Sequence, residues 1–204
     1  MKKKLFIFSN ESISVEDNKF YCDNLDLKST PEGLNKKFEV NLLGRKSIKK
    51  RSHEIKIKRI KVFGNIFSYL SEVIKASKNK DSKFLIISIS PYTFLISLFI
   101  KILGQKPIVY LRSDGYGEYK AILGKIGPII YHIMFSIVST FSNLISCRDY
   151  ILRGKKGKII IISPTLPKIP PKSLIMTVIL ANQVRNQRGV VSRNHSRKRY
   201  YRHF

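Results

Sequence analysis

Arg112, Asp114, Tyr116 and Glu118 occupy every second position directly after an apolar run at residues 107–111, with Gly115 and Gly117 between them. A guanidinium offers a planar fork that matches phosphate oxygens. A carboxylate can accept a proton from a substrate hydroxyl, and Asp114 is the candidate for that catalytic role. Glycines let a backbone turn sharply and come close to a ligand. In an α/β sheet, ligands bind where a strand breaks at its carboxyl end, and this segment reads as a strand breaking into a polar loop. Each residue also has a plainer role open to it. Asp114 before Gly115 could cap the chain that follows, and Arg112 could pair locally with Asp114 or Glu118.

Other polar groups reach the same crevice if the strands are parallel. Ser9 and Asn10 end the first apolar run, and Ser90 follows the run at residues 84–89. Together with Arg112, Tyr116 and Glu118 they form the candidate acceptor-binding set. For Ser90-Pro91 a helix-capping role is the stronger expectation. Gly115-Tyr-Gly117 is not a dinucleotide loop, because Lys120 stands where the third glycine belongs. No Walker motif, no Ser/His/Asp set and no Cys/His metal spacing is legible, so no metal and no resident cofactor is expected.

The elements that must position these residues follow from periodicity. Runs at residues 5–9, 38–43, 84–89, 106–111, 143–147 and 158–162 have strand length, and residues 54–60 alternate like a half-buried strand. Residues 10–17 read as a polar loop. Ser29-Thr30-Pro31-Glu32 reads as a helix start, residues 63–78 as an amphipathic helix, 92–103 as a helix ending at Gly104, and 121–141 as a helix with Pro128 at its start or at a kink. Residues 148–152 read as a helical turn closed by Gly154. Strand and helix alternate with short connections, which predicts a single-domain α/β fold: a Rossmann-like, doubly wound, mostly parallel sheet with helices on both faces.

The chain has 204 residues, 43% of them hydrophobic, and a net charge of +26. Residues 1–167 carry 30 Lys/Arg against 13 Asp/Glu, and residues 168–204 carry 9 Lys/Arg and no acid. Such a surplus favours anionic partners. Arg45, Lys49, Lys50 and Arg51 belong to a dense basic stretch that could dock on anionic lipid at about 1 kcal/mol per nearby Lys or Arg. Cys22 and Cys147 form no disulfide framework and fit a reducing, cytoplasmic setting. The 22 residues at 126–147 carry no formal charge and match a bilayer in length. Pro128, His132 and a polar cluster at 139–143 instead favour a helix packed on the sheet, or one lying partly in a membrane interface. Beyond residue 167 the chain turns Arg-rich; it reads as a basic arm or, preferably, as an artefact such as a shifted reading frame.

The order of elements carries a resemblance. Ser29-Thr-Pro-Glu-Gly-Leu-Asn-Lys-Lys-Phe, then Glu39-Val-Asn-Leu-Leu-Gly-Arg45, Ser88-Ile-Ser-Pro91, the turn Tyr110-Leu-Arg-Ser-Asp-Gly115 and Ile162-Ser-Pro164 resemble the amino-terminal domain of GT-B glycosyltransferases. The closest likeness is to the bacterial group that builds surface polysaccharides, and it covers residues 1–167. The resemblance implies an acceptor-side domain for a glycan or lipid-linked acceptor. It also implies a second domain holding the nucleotide sugar, no divalent metal, and a cytoplasmic enzyme peripheral to the inner membrane face. That family's paired donor-site glutamates have no counterpart here, since no Asp or Glu follows Asp149. The expectation is therefore a truncated member, inactive alone and lacking its donor-binding domain. The second reading is a non-enzymatic basic protein for nucleic acid or anionic membrane.

Overall fold

The computed structural model describes residues 2–79 and 81–159. The expected strand end at 160–162, Ile162-Ser-Pro164 and the basic tail at 168–204 lie outside the described residues. The architecture is α/β, with a mostly parallel mixed sheet of nine strands. In chain order the elements are β1 (Lys4–Glu16), β2 (Lys19–Cys22), α1 (Leu25–Leu34), β3 (Glu39–Lys46), β4 (His53–Glu54), β5 (Ile60–Phe63), α2 (Ile66–Ser77) and β6 (Lys83–Ile87). There follow α3 (Pro91–Ile102), β7 (Ile108–Leu111), α4 (Gly115–Leu123), a 3-10 turn (Gly124–Ile126), α5 (Gly127–Phe141), β8 (Asn143–Ser146), α6 (Asp149–Leu152) and β9 (Gly157–Ile159).

The parallel part of the sheet runs β5-β3-β1-β6-β7-β8-β9. From β1 the chain steps outward to β3 and β5, then returns to β6 on the other side of β1 and steps outward again. The strand order therefore reverses between β1 and β6. Successive side chains point to opposite faces. Leu5, Ile7, Leu85, Ile87, Ile108 and Tyr110 share one buried cluster with Leu27 and Leu34 of α1. Phe8, Phe84, Ile86, Val109 and Leu111 share the other with Tyr69 and Val73 of α2, Ile96 and Ile100 of α3, and Phe135 and Val138 of α5.

Several expectations need correction. The polar stretch at 10–17 is no loop: β1 continues to Glu16 and pairs antiparallel with β2, through a turn in which Asp17 and Asn18 have φ of 46° and 60°. Asn and Asp tolerate that left-handed backbone, so the hairpin needs no glycine. The first helix starts earlier than Ser29, because Asn24 accepts hydrogen bonds from Asp26 N and Leu27 N and caps it there; Pro31 lies inside the helix. The alternating stretch at 54–60 is not one strand but divides between β4 and β5. Residues 115–119, read as loop, open α4 with Asp114 as N-cap. The expected helix at 121–141 is two helices broken at Gly124, φ 63°. Where local signals agreed, the expectation holds. Ser90 and Thr93 form a reciprocal capping box at the start of α3, with Pro91 in the first turn where a missing N–H costs nothing.

Candidate functional site

At the order reversal the irregular stretch at residues 9–11 of β1 and the carboxyl ends of β6 and β7 open into one cleft of about 390 Å³. Its walls are Ser9 to Glu11, Ile87 to Pro91, Arg112, and Glu118, Tyr119, Ile122 and Leu123 of α4. The volume falls in the range of small-ligand sites.

Each wall has a local cause. β1 pairs with β3 from Lys4↔Glu39 to Phe8↔Leu43 and resumes at Ser12↔Arg45, so residues 9–11 leave the ladder. Bulges of this kind re-aim side chains beside sites. Ser9 Oγ accepts from Glu11 N at 3.1 Å and closes the irregular turn. The Ser9 backbone is held from below by Tyr69, fully buried, whose hydroxyl donates to Leu43 O at 2.6 Å and accepts from Ser9 N at 3.2 Å. Burial pushes the Tyr69 hydroxyl far above its ordinary range, which keeps it protonated and able to donate. On the β6 side Ser88 adopts φ 61°, a conformation costly for a residue with a Cβ. Its N–H donates to Tyr110 O at 2.9 Å and its carbonyl accepts from Thr93 Oγ1 at 2.9 Å. Strain of this sort, held by its surroundings, concentrates at functional sites.

Arg112 reaches across from β7. Its Nη2 donates to Glu11 Oε1 at 3.0 Å, and its Nε lies 3.8 Å from Asp26 Oδ2. Its side chain is 19% exposed. Among the described residues its buried Nη1 has no hydrogen-bond partner, and neither does Ser88 Oγ. A buried guanidinium nitrogen left unpaired is costly, and both groups belong to residues lining one cleft. They suit an anionic or hydroxyl-rich ligand.

Of the residues expected at the site, Ser9, Asn10, Ser90, Arg112 and Glu118 line the cleft. Asp114 and Tyr116 are not among its lining residues. Asp114 accepts from Tyr116 N at 3.2 Å and lies 3.6 Å from Arg153 Nη2. Tyr116 donates or accepts at His132 Nδ1 (2.8 Å), meets Tyr131 edge-on at 4.9 Å, and has the Arg153 guanidinium 4.7 Å above its ring. Arg112 pairs with Glu11 and Asp26 rather than with Asp114 or Glu118. The basic stretch divides. Arg45 turns to the cleft's edge, with Nη1 3.5 Å from Asn10 Oδ1 and its guanidinium 4.8 Å over the Tyr92 ring. Lys50 pairs with Glu16, and Arg51 with Asp23, whose carboxyl is held below its usual value chiefly by that hydrogen bond. Lys49 is exposed.

Glu11, Asp26, Ser88 and Tyr69 were missed. Glu11 and Asp26 sit in stretches without a motif, and Ser88 entered only as the start of Ser88-Ile-Ser-Pro91, where Ser90 took the role. Tyr69 lies within the amphipathic helix expected at 63–78, but nothing local marks its hydroxyl as a support for Ser9. Among the described residues no group of three or more His, Cys, Asp and Glu side chains is placed to hold a metal ion. Neither a family model nor a curated protein matches this chain.

Proposed function

We propose that the chain follows a Rossmann-like, doubly wound plan and works as the acceptor-binding half of a GT-B glycosyltransferase of the surface-polysaccharide kind. In this reading the cleft takes a sugar phosphate, presented by a glycan or lipid-linked acceptor. One observation carries the reading: Arg112, whose buried Nη1 has no hydrogen-bond partner among the described residues, lines a cleft at the point where the strand order reverses. Such reversal points are the ligand sites of open α/β sheets. Arg112 would hold the phosphate. Ser9, Asn10 and Ser88 would meet sugar hydroxyls, and Tyr119 and Ile122 would pack on an apolar sugar face. The nucleotide sugar would be held by a separate donor-binding domain, and no divalent metal enters the chemistry.

The test is binding of a hexose 1-phosphate, followed by saturation-transfer NMR on the full chain, with free hexose and inorganic phosphate as comparisons. The expected result is saturable binding of the sugar phosphate, weakened about tenfold or more by Arg112→Gln, since a hydrogen bond to a charged group contributes about 1.5–3 kcal/mol. Binding of single-stranded nucleic acid alone, with steep salt dependence and indifference to Arg112→Gln, would favour the non-enzymatic basic protein instead. The proton-acceptor role of Asp114 is separable from its cap. Asn caps a helix as well as Asp does, so with a donor domain supplied, Asp114→Asn should abolish transfer while leaving the melting temperature unchanged.

A further inference from the structure

The α4–α5 segment is apolar on more sides than the sheet can use. Tyr131, Met134, Phe135 and Val138 of α5 are buried against the sheet. The opposite side carries Ile122, Ile126, Ile129, Ile130, Ile133 and Ile137, exposed by 75% at Ile122, 64% at Ile126 and 53% at Ile133. Isolated exposed apolar residues are ordinary, whereas a contiguous ridge marks an interaction surface. Next to α5, helix α3 adds Leu95, Ile102 and Leu103, so the apolar surface is two helices wide.

The 27 residues from Gly115 to Phe141 are long and apolar enough to cross a bilayer, but their geometry is not that of a crossing rod. Tyr116 and Phe135 have ring centroids 6.2 Å apart. Nineteen residues along one straight helix would separate them by about 28 Å. The chain folds back at Gly124, and Gly127 packs directly against the Tyr119 carbonyl, where a Cβ has no room. With one side committed to the sheet, the ridge can only lie along a surface.

Charge identifies that surface. No Asp or Glu occurs from Ser82 to Ser113 or from Tyr119 to Arg148, while Lys101, Lys120 and Lys125 are exposed among the apolar residues. A second copy of this chain would bring the same positive field and be repelled. An apolar surface set with lysines, with Glu118 at its cleft end as the one carboxylate of α4 and α5, is what the interface of an anionic bilayer accepts. Ile122 belongs both to the ridge and to the cleft wall, with Leu123 beside it in that wall, so whatever covers the ridge also borders the cleft mouth.

We propose that the isoleucine ridge of α4 and α5 inserts shallowly into an anionic bilayer and holds the cleft mouth at the lipid surface, where the head of a lipid-borne acceptor could enter. The membrane contact itself does not rest on the transferase reading.

The chain has no Trp, so single-Trp variants report position directly. Ile133→Trp and, as a second ridge reporter, Ile129→Trp are compared with Ile48→Trp in the basic loop, where Ile48 is fully exposed. Vesicles of phosphatidylglycerol and phosphatidylcholine are added to the full chain, with brominated phosphatidylcholine as quencher. Ridge reporters should shift to the blue and be quenched in high salt, and Ile48→Trp should do neither. Ile126→Asp should lower partitioning about tenfold or more, with an unchanged circular dichroism spectrum and unchanged hexose 1-phosphate binding. Equal quenching of all three reporters would mean adsorption by general charge, and no quenching would mean no membrane contact. Blue emission in buffer with a dimeric mass would mean that protein covers the ridge. Each of these three results overturns the proposal.

Discussion

The two flanks of the sheet use the same surplus of positive charge in opposite ways. On the flank of β2, β4, β5 and α2, lysines and arginines face carboxylates. Lys50 meets Glu16, Arg51 meets Asp23, Arg59 meets Glu39, and Glu72 takes both Lys61 at 2.6 Å and Lys75 at 2.9 Å. Ten of the 13 Asp/Glu residues precede Ser82, against 19 Lys/Arg there, so this flank can pair part of its positive charge within the chain. On the flank of α3, α4 and α5 the helices present isoleucines and lysines that have no ion-pair partner among the described residues. One surface pairs its charges within the chain, and the other leaves isoleucines exposed.

The largest effect is expected where the apolar flank is held together. Gly127→Ala would drive a methyl into the Tyr119 carbonyl, and backbone cannot swing aside as a side chain can. Urea unfolding should show a loss of about 3 kcal/mol, the upper part of the overpacking range, whereas Ile133→Asp on the ridge should stay within about 0.5 kcal/mol. Similar losses for both would mean that the ridge is packed against protein.

Between the flanks stands Tyr69. Tyr69→Phe would leave Leu43 O and Ser9 N without their buried partner, a loss of about 2 kcal/mol, and should weaken hexose 1-phosphate binding as well, because Ser9 opens the cleft.

Smaller is the contribution of the ion-paired flank. For Glu72 burial raises the carboxyl pKa, but hydrogen bonds and charge from Lys61 and Lys75 outweigh it and hold the group below its ordinary 4.5. A depressed folded pKa gives stability that is present above the unfolded value and lost as pH falls through the folded one. Glu72→Gln should therefore cost up to about 1 kcal/mol at neutral pH, with the difference from the parent shrinking as pH drops below 4.5. A gap that widened in acid would show the pairing to be unimportant.

The smallest effect is chemical. Cys22, buried and donating to Asn24 O, has its thiol pushed up to about 11 by burial. Cys147 is partly exposed. Iodoacetamide at mildly alkaline pH should alkylate Cys147 first, and Cys22 only at the rate of global unfolding.

What was legible in the sequence was what local chemistry dictates. Ser90-Pro91 with Thr93 announces a helix start, because a side-chain hydroxyl, a missing N–H and a reciprocal bond all act within one turn. Apolar runs at 84–89 and 106–111 announce buried parallel strands, since both faces of such strands are covered. The misreadings share a cause. Gly115 and Gly117 suggested a loop because glycine disfavours helix interiors, yet Gly115 sits where the Tyr131 ring leaves no space for a Cβ, so packing outweighed propensity. Asp17-Asn18 lacks the glycine of a familiar hairpin turn, so β2 went unseen, and with it the course of β1 past Ser9.

From the chain alone came the alternation of strand and helix, the Ser90 cap, and the concentration of Arg, Asp, Tyr and Glu after the strand that ends at Leu111, all properties of residues a few positions apart. Only the tertiary structure brought Arg112 to Glu11, 101 positions away, because strand pairing is a long-range choice that no local pattern encodes. It also decided which side of α5 is spent on the sheet. A helix apolar on every side has no preferred orientation of its own, and the shape of its neighbours settles which isoleucines are left facing out.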